Sequence, residues 1–183
     1  MTDIPRIDAR ILVVDDEPAI RKGVQRILVS CGAQVDLAED GPSAMERLQA
    51  QSYDIAIIDL VMPSFGGMEI LERIQATDVN VVPIVITAHV SIETAIEAMR
   101  RGAFDYLPKP FVPAELTLRV ERALRWRRLR QEADRRLLEL SAHRTQLGTI
   151  VNSLGDCVLV VNVDGQVVLS NPAACDALGL GQG

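Results

Sequence analysis

The sequence predicts an α/β protein with a doubly wound domain, a parallel sheet carrying helices on both faces. Three observations predict it. Between residues 10 and 111, short aliphatic runs alternate five times with stretches whose apolar residues recur at helical spacing. All but the second, which contains Asp36, are continuously apolar rather than alternating, the pattern of strands buried on both faces. They end in carboxylates, a hydroxyl or a lysine, at the sheet edge where open α/β folds bind ligands.

The strands are expected at Ile11 to Val14, Val35 to Ala38, Ile55 to Ile58, Ile84 to Ile86 and Tyr106 to Leu107. Between the first two, Ile20, Val24, Ile27 and Leu28 trace one helical face. Ala44, Met45 and Leu48 trace the second, and Met68, Leu71 and Ile74 the third. The fourth opens at Ser91, a side chain suited to an N-cap, and continues through Thr94, Ala95, Ala98 and Met99. Gly32, Gly41, Gly67 and Gly102 fall near segment ends, as C-caps or tight turns. The domain so delimited covers residues 8–123.

The fifth helix continues past it. From Pro113 to about Leu147 there is neither Gly nor Pro. Trp126, Leu129 and Ala133, then Leu137, Leu140, Leu147, Val151 and Leu154 approximate a seam, with Arg144 in one seam position and a phase break after Ala133 that resembles a stutter. The expectation is a helical linker over residues 124–148 that forms a parallel coiled-coil homodimer; a single helix along the domain surface is the alternative. Eight arginines lie between Arg119 and Arg136, interspersed with Glu121, Glu132 and Asp134. A net charge of −6 makes a solvated face the better reading than a nucleic-acid surface.

Residues 149–183 change character. Cys157 to Val163 reads as a strand, Asp164-Gly165 as a hairpin turn, Gln166 to Ser170 as the return strand, and Asn171-Pro172 as a helix start. Two strands and one short helix cannot bury a stable core. The chain is therefore expected to be cut from a longer protein.

Hydrophobic residues make up 48% and aromatics only 3%, so the core must be built from Ile, Val, Leu and Ala. Cys31, Cys157 and Cys175 are far apart and lack metal-ligand spacing, which fits free thiols in a reducing compartment. No secretory signal is visible at the N-terminus, and no run approaches the ~20 apolar residues of a membrane helix. A cytoplasmic protein without membrane contact is expected.

The polar residues at the strand ends form a chemical set. Asp59 closes the third run, Asp15-Asp16-Glu17 follow the first, Thr87 the fourth, and Lys109 the fifth. A carboxylate accepts a phosphoryl group when it is ionised, in line and relieved of the incoming charge. Asp59 would be that nucleophile. Asp15 and Asp16 crowd it in a way that a cation relieves, and hard oxygen ligands suit Mg²⁺. Lys109 would pair with one phosphoryl oxygen and Thr87 would donate to another. Taken singly, each residue has a plain structural reading as a turn former, cap or surface charge. Their joint occurrence at the ends of one sheet carries the argument.

These strings resemble the receiver domain of two-component response regulators: Val13-Val14-Asp15-Asp16-Glu17, Asp59-Leu60-Val61-Met62-Pro63 with Gly67, Ile86-Thr87-Ala88, and Asp105-Tyr106-Leu107-Pro108-Lys109-Pro110-Phe111. The resemblance implies a (βα)₅ flavodoxin-like fold, a sensor histidine kinase or phosphotransfer protein as partner, and Mg²⁺ dependence. It implies that Asp59 is the phosphoacceptor and Asp16 a direct metal ligand. Asp15 would hold metal-bound water, and the Val61 backbone carbonyl would be a further ligand. It makes Thr87 and Tyr106 a switch pair, with Tyr106 facing solvent before phosphorylation and a core-packed Tyr106 that does not switch as the alternative. It makes Lys109 the phosphate-binding lysine and the Lys109-Pro110 bond cis. Gly66 stands where an aspartate is common, and Val61 and His89 occupy positions that tune dephosphorylation. The tail from Ile150 resembles the start of a PAS sensor domain, a truncated α+β segment for which no ligand can be assigned.

Two rival classes and one further residue complete the reading. A phosphatase on a similar sheet would need a second catalytic aspartate where Val61 stands. A pseudo-receiver would lack an acidic residue or the lysine, and none is missing. His143 lies on the long helix without the acidic neighbour of a phosphohistidine site. The chain is thus expected to be a signalling acceptor rather than an enzyme with turnover.

Overall fold

A computed structural model describes residues 6–63, 66–77, 80–88 and 91–178. The chain forms two compact units, one up to Leu129 and one from Arg130.

The first unit alternates strand and helix: β1 Arg10–Val14, α1 Pro18–Ser30, β2 Gln34–Ala38, α2 Gly41–Ala50, β3 Ile55–Asp59, α3 Gly67–Ala76, β4 Val82–Thr87, α4 Ile92–Arg100, β5 Asp105–Pro108 and α5 Pro113–Ser153. The five strands are parallel in the order β2-β1-β3-β4-β5. The chain direction across the sheet reverses between β1 and β3, which opens a crevice at their C-terminal ends.

Strand residues alternate between two cores because successive side chains point to opposite faces. Ile11, Val13, Ile55, Ile57, Ile84 and Ile86 pack with Val24, Leu28, Leu116 and Val120 of α1 and α5. Leu12, Val14, Ala56, Ile58 and Val85 pack with Leu48, Ile70, Leu71, Ile74 and Ala98 of α2, α3 and α4. Each fully buried aliphatic side chain contributes roughly 1.5–3 kcal/mol. That explains how a chain with few aromatics holds a sheet together.

Local signals fix the helix ends. Ser91 caps α4 through the Thr94 amide at 3.0 Å, and the Thr94 hydroxyl accepts from the Ser91 amide at 3.2 Å. Gly32 and Gly102 follow α1 and α4 with φ of 97° and 91°, a left-handed backbone that favours glycine. Gly41 and Gly67 open α2 and α3 instead of closing a helix.

Within the first unit, α5 is held where β3 and β4 begin. Arg127 donates from Nη1 to the Asp54 carboxylate and from Nη2 to the Asn80 carbonyl at 3.1 Å. The other Asp54 oxygen accepts the Arg10 amide at 2.7 Å. Trp126 was expected to begin the coiled-coil seam; its ring lies 5.4 Å from that of Phe104.

In the second unit the remainder of α5 carries exposed Leu137, Leu138 and Leu140. The side chains of Arg144 and Leu147, two further seam positions, lie outside the described residues. Strands β6 Leu159–Val161 and β7 Val167–Ser170 pair antiparallel around Gly165 (φ 77°), and α6 spans Pro172–Leu178. The expected strand from Cys157 to Val163 is shorter at both ends, because among the described residues its ladder is formed with β7 alone, over Leu159–Val161. Both strands are largely exposed.

Asn171 ties this unit together and is fully buried. Its Oδ1 accepts from the Val158 and Ala174 amides at 2.9 and 3.0 Å, and its Nδ2 donates to the carbonyls of Val151, Leu154 and Asp156. One amide therefore satisfies the end of α5, the start of the hairpin and the N-terminus of α6. Asn171→Ala should raise hydrogen exchange at residues 151–158 and 174–175 together. Acceleration confined to α6 would show a simple helix cap.

Candidate functional site

The C-terminal ends of β1, β3, β4 and β5 bring together the residues that the sequence singled out. Asp15 follows β1, Asp59 ends β3, Thr87 ends β4 and Lys109 follows β5. Asp15 and Thr87 are fully buried and Asp59 is 4% exposed, whereas Asp16 is exposed. Backbone register sets these positions: Val14 lies opposite Ile58, Asp59 opposite Ile86, and Thr87 opposite Pro108.

Lys109 is the hub. Its Nζ lies 2.7 Å from Asp15 Oδ2 and 2.6 Å from Asp59 Oδ2, and Glu17 Oε1 stands 3.8 Å away. The second oxygen of each buried aspartate accepts a backbone amide, Glu17 N at 2.9 Å for Asp15 and Val61 N at 3.1 Å for Asp59. Both carboxylates are therefore oriented, and they share the charge of one ammonium. The Lys109-Pro110 bond is cis, as the resemblance implied.

Burial and charge act against each other here. Burial pushes Asp15 above the usual carboxylate range, and the bonds from Lys109 and the Glu17 amide only partly offset it. Burial alone would lower Lys109, but bonds from Asp15 and Asp59 outweigh it and raise the ammonium above its ordinary value. A carboxyl raised on folding contributes stability below its unfolded value, and that contribution is lost as pH rises through the folded value. At neutral pH the Asp15 charge thus costs the metal-free fold stability. Asp15→Asn should raise the melting temperature of metal-free protein by a few degrees at pH 7, with the gain shrinking as pH falls toward 4. A lower melting temperature for the variant at pH 7 would contradict this.

Asp15, Asp16 and Asp59 each offer an oxygen, all within 4.8 Å of one another. Three hard oxygen donors at this separation, one of them costly to keep charged, fit a small divalent cation. Val61 is 58% exposed at the rim, and its amide already orients Asp59.

Tyr106 is half-buried against the core on the α2, α3 and α4 side of the sheet rather than standing free in solvent. Its neighbour Asp105 bonds to Arg119 of α5 at 2.6 Å, with Arg122 at 3.7 Å. His89 lies outside the described residues. His143 is exposed on α5.

Two site residues escaped the sequence reading. Arg21 of α1 donates from Nη1 to the Asp15 carbonyl at 2.5 Å and is only 12% exposed. A signal existed: a cation in a helix's first turn opposes the helix dipole, so it needs a partner elsewhere. Gly67 was read as a turn, but a Cβ there would stand 2.1 Å from the Asp59 carbonyl oxygen. No residue pattern reveals that approach.

Comparison with known proteins gives a consistent result. The family profile described as "Response regulator receiver domain" matches residues 11–121. The response regulator MprA of Mycobacterium ulcerans is 36% identical over 126 residues, 69% of this chain and 54% of the relative. The chain spans about half the length of the curated relatives it matches. Among solved structures, NtrX from Brucella abortus superposes with a TM-score of 0.67 at 35% identity, over 70% of this chain and 29% of that one. A CheY-like receiver domain protein from Methanospirillum hungatei superposes with a TM-score of 0.64 at 26% identity, over 66% of this chain and 97% of that one.

Proposed function

The chain belongs to the response regulator receiver family of two-component systems, and on that premise we propose that Asp59 accepts a phosphoryl group from the phosphohistidine of a sensor histidine kinase or phosphotransfer protein. The observation that carries this is the setting of Asp59: a buried carboxylate held between Lys109 Nζ and the Val61 amide, beside Asp15 and Asp16.

In this reading, Asp16, Asp59 and the Val61 backbone carbonyl would hold Mg²⁺, with Asp15 holding its bound water. When bound, that ion supplies the positive charge that neutralises the entering phosphoryl group. An Asp59 oxygen attacks phosphorus as the bond to the histidine nitrogen breaks. Lys109 then exchanges its Asp59 partner for a phosphoryl oxygen, and Thr87 donates its hydroxyl to another. Val61 offers no polar group to position an attacking water, so the phosphoryl group is lost slowly. The domain turns over no substrate of its own.

The added charge of about −1.5 to −2 is read by the Thr87 and Tyr106 pair. Tyr106 lies on β5, whose Asp105 is bonded to Arg119 of α5, so repacking of β5 is felt by the long helix. That helix, as a linker over residues 124–148, passes the change to a PAS-like segment at 149–183 and an output beyond it. Exposed Leu137 and Leu140 support its pairing with a second copy as a coiled coil, whereas Leu154, also expected on the seam, lies past the end of α5 at Ser153. No helix among the described residues is long and apolar enough to cross a membrane, and kinase chemistry draws on cytoplasmic ATP. We therefore place the protein in the cytoplasm, with no role for nucleic acid in this segment.

Incubation with Mg²⁺ and a small phosphodonor, followed by intact mass, tests the proposal. One phosphoryl group should add to the unmodified chain and none to Asp59→Asn. Equal labelling of the two proteins would sink it, as would no labelling of either.

A further inference from the structure

We propose that Arg21 is a positioning residue for divalent-cation binding, fixing the peptide between Asp15 and Asp16 so that Asp16 faces the other carboxylates; this rests on the cation-site reading above. The Asp15 carbonyl that accepts from Arg21 Nη1 belongs to that peptide. Asp15 itself needs no further help, because its amide donates to Ala38, and its carboxylate oxygens meet the Glu17 amide and Lys109. Asp16 is different, being exposed at the rim. Its direction follows from the plane of the peptide that precedes it, which is what the guanidinium holds. Arg21 is fixed in turn: its side chain is 12% exposed, it lies on the first turn of α1, and Nη2 stands 3.7 Å from the Glu39 carboxylate.

Charge and geometry give opposite signs, which makes the proposal decidable. A fixed cation near three carboxylates repels Mg²⁺, so on charge alone Arg21→Ala should bind the ion more tightly. If Arg21 positions Asp16, the same variant should bind it more weakly, by about tenfold, the order seen when a residue orienting a metal ligand is removed. Arg21→Lys keeps a donor of similar reach and should stay within about twofold of the unmodified protein.

The experiment is a Mg²⁺ titration of the full chain and both variants. It is followed by calorimetry and by backbone amide shifts at residues 15–17 and 59–61, with melting curves to confirm folding. Weakened binding in Arg21→Ala that Arg21→Lys restores is the expected result. Equal or tighter binding in Arg21→Ala overturns the proposal, and so does an equal loss in both variants. If Arg21→Ala fails to fold, Arg21→Gln, whose amide falls short of the Asp15 carbonyl, takes its place: a loss of about tenfold supports the proposal and equal or tighter binding overturns it. If the unmodified chain itself takes up no Mg²⁺, the cation-site reading fails and this inference falls with it.

Discussion

Replacing Lys109 with alanine should lower the unfolding free energy of the metal-free first unit by about 3 kcal/mol, the order expected when one partner of a buried ion pair is removed. The reason is local. Asp15 and Asp59 are buried and share this single ammonium at 2.7 and 2.6 Å. Without it, two adjacent carboxylates would have to stay charged in a site that already raises Asp15. The pH dependence should be diagnostic. A lysine raised on folding contributes stability at all pH values below its unfolded one, and loses it only as pH rises through the folded value. The deficit of the variant should therefore hold from pH 7 to 9 and narrow at the acid end, where Asp15 takes up a proton. Millimolar Mg²⁺ should recover part of it. Chemical denaturation of Lys109→Ala at pH 5, 7 and 9, with and without Mg²⁺, measures each of these. Stability equal to that of the unmodified protein at pH 7 would mean that the ion pair holds nothing in place.

Gly67→Ala should be at least as damaging, through shape alone. The added carbon would lie 2.1 Å from the Asp59 carbonyl oxygen and 2.9 Å from both the Asp59 carbonyl carbon and Leu60 Cα. All three are backbone atoms, so nothing can rotate away. Either α3 moves off the sheet or the end of β3 moves, and the second displaces Asp59 from Lys109 and the Val61 amide. A cost of roughly 3 kcal/mol is expected from overpacking at so rigid a contact, with phosphoryl labelling reduced at least tenfold. The adjacent Gly66→Ala provides the control. Its Cβ would press on the rotatable end of Glu69, at 2.9 Å, and meet backbone only at the Leu60 carbonyl oxygen, at an ordinary 3.4 Å, so its cost should stay under about 1 kcal/mol. Comparable losses for the two variants would refute the steric account.

Most of the first unit was legible in the sequence because its three central strands, β1, β3 and β4, are buried on both faces. Continuous aliphatic runs are what such burial demands, and each run fell within its observed strand. The start of β4 was missed: Val82 and Pro83 belong to it, but proline brings no amide to a ladder and reads as an interruption. The carboxylates, threonine and lysine of the site were readable because they interrupt apolar runs at the strand ends. Arg21 was not picked out: its place in the first turn of α1 was a signal that it needs a partner, but that partner is a backbone carbonyl, which no choice of side chain identifies. Gly67 was read for its backbone freedom, while the structure uses its missing Cβ. In the second unit, the turn at Asp164-Gly165 and the start of α6 were readable, because both depend on local backbone preferences. The part played by Asn171 was not, since it depends on three segments that only folding brings together.

Trp126 is the only tryptophan in the chain. The residue is 41% exposed, and its ring centroid lies 5.4 Å from that of Phe104, immediately before β5. Any repacking of β5 against α5 changes what that indole touches and how much water reaches it. The protein thus carries its own optical probe, at the junction through which Tyr106 and Lys109 would have to act. Its emission, followed after addition of a phosphodonor, reports in real time and without a label whether a charge placed on Asp59 disturbs the root of the long helix.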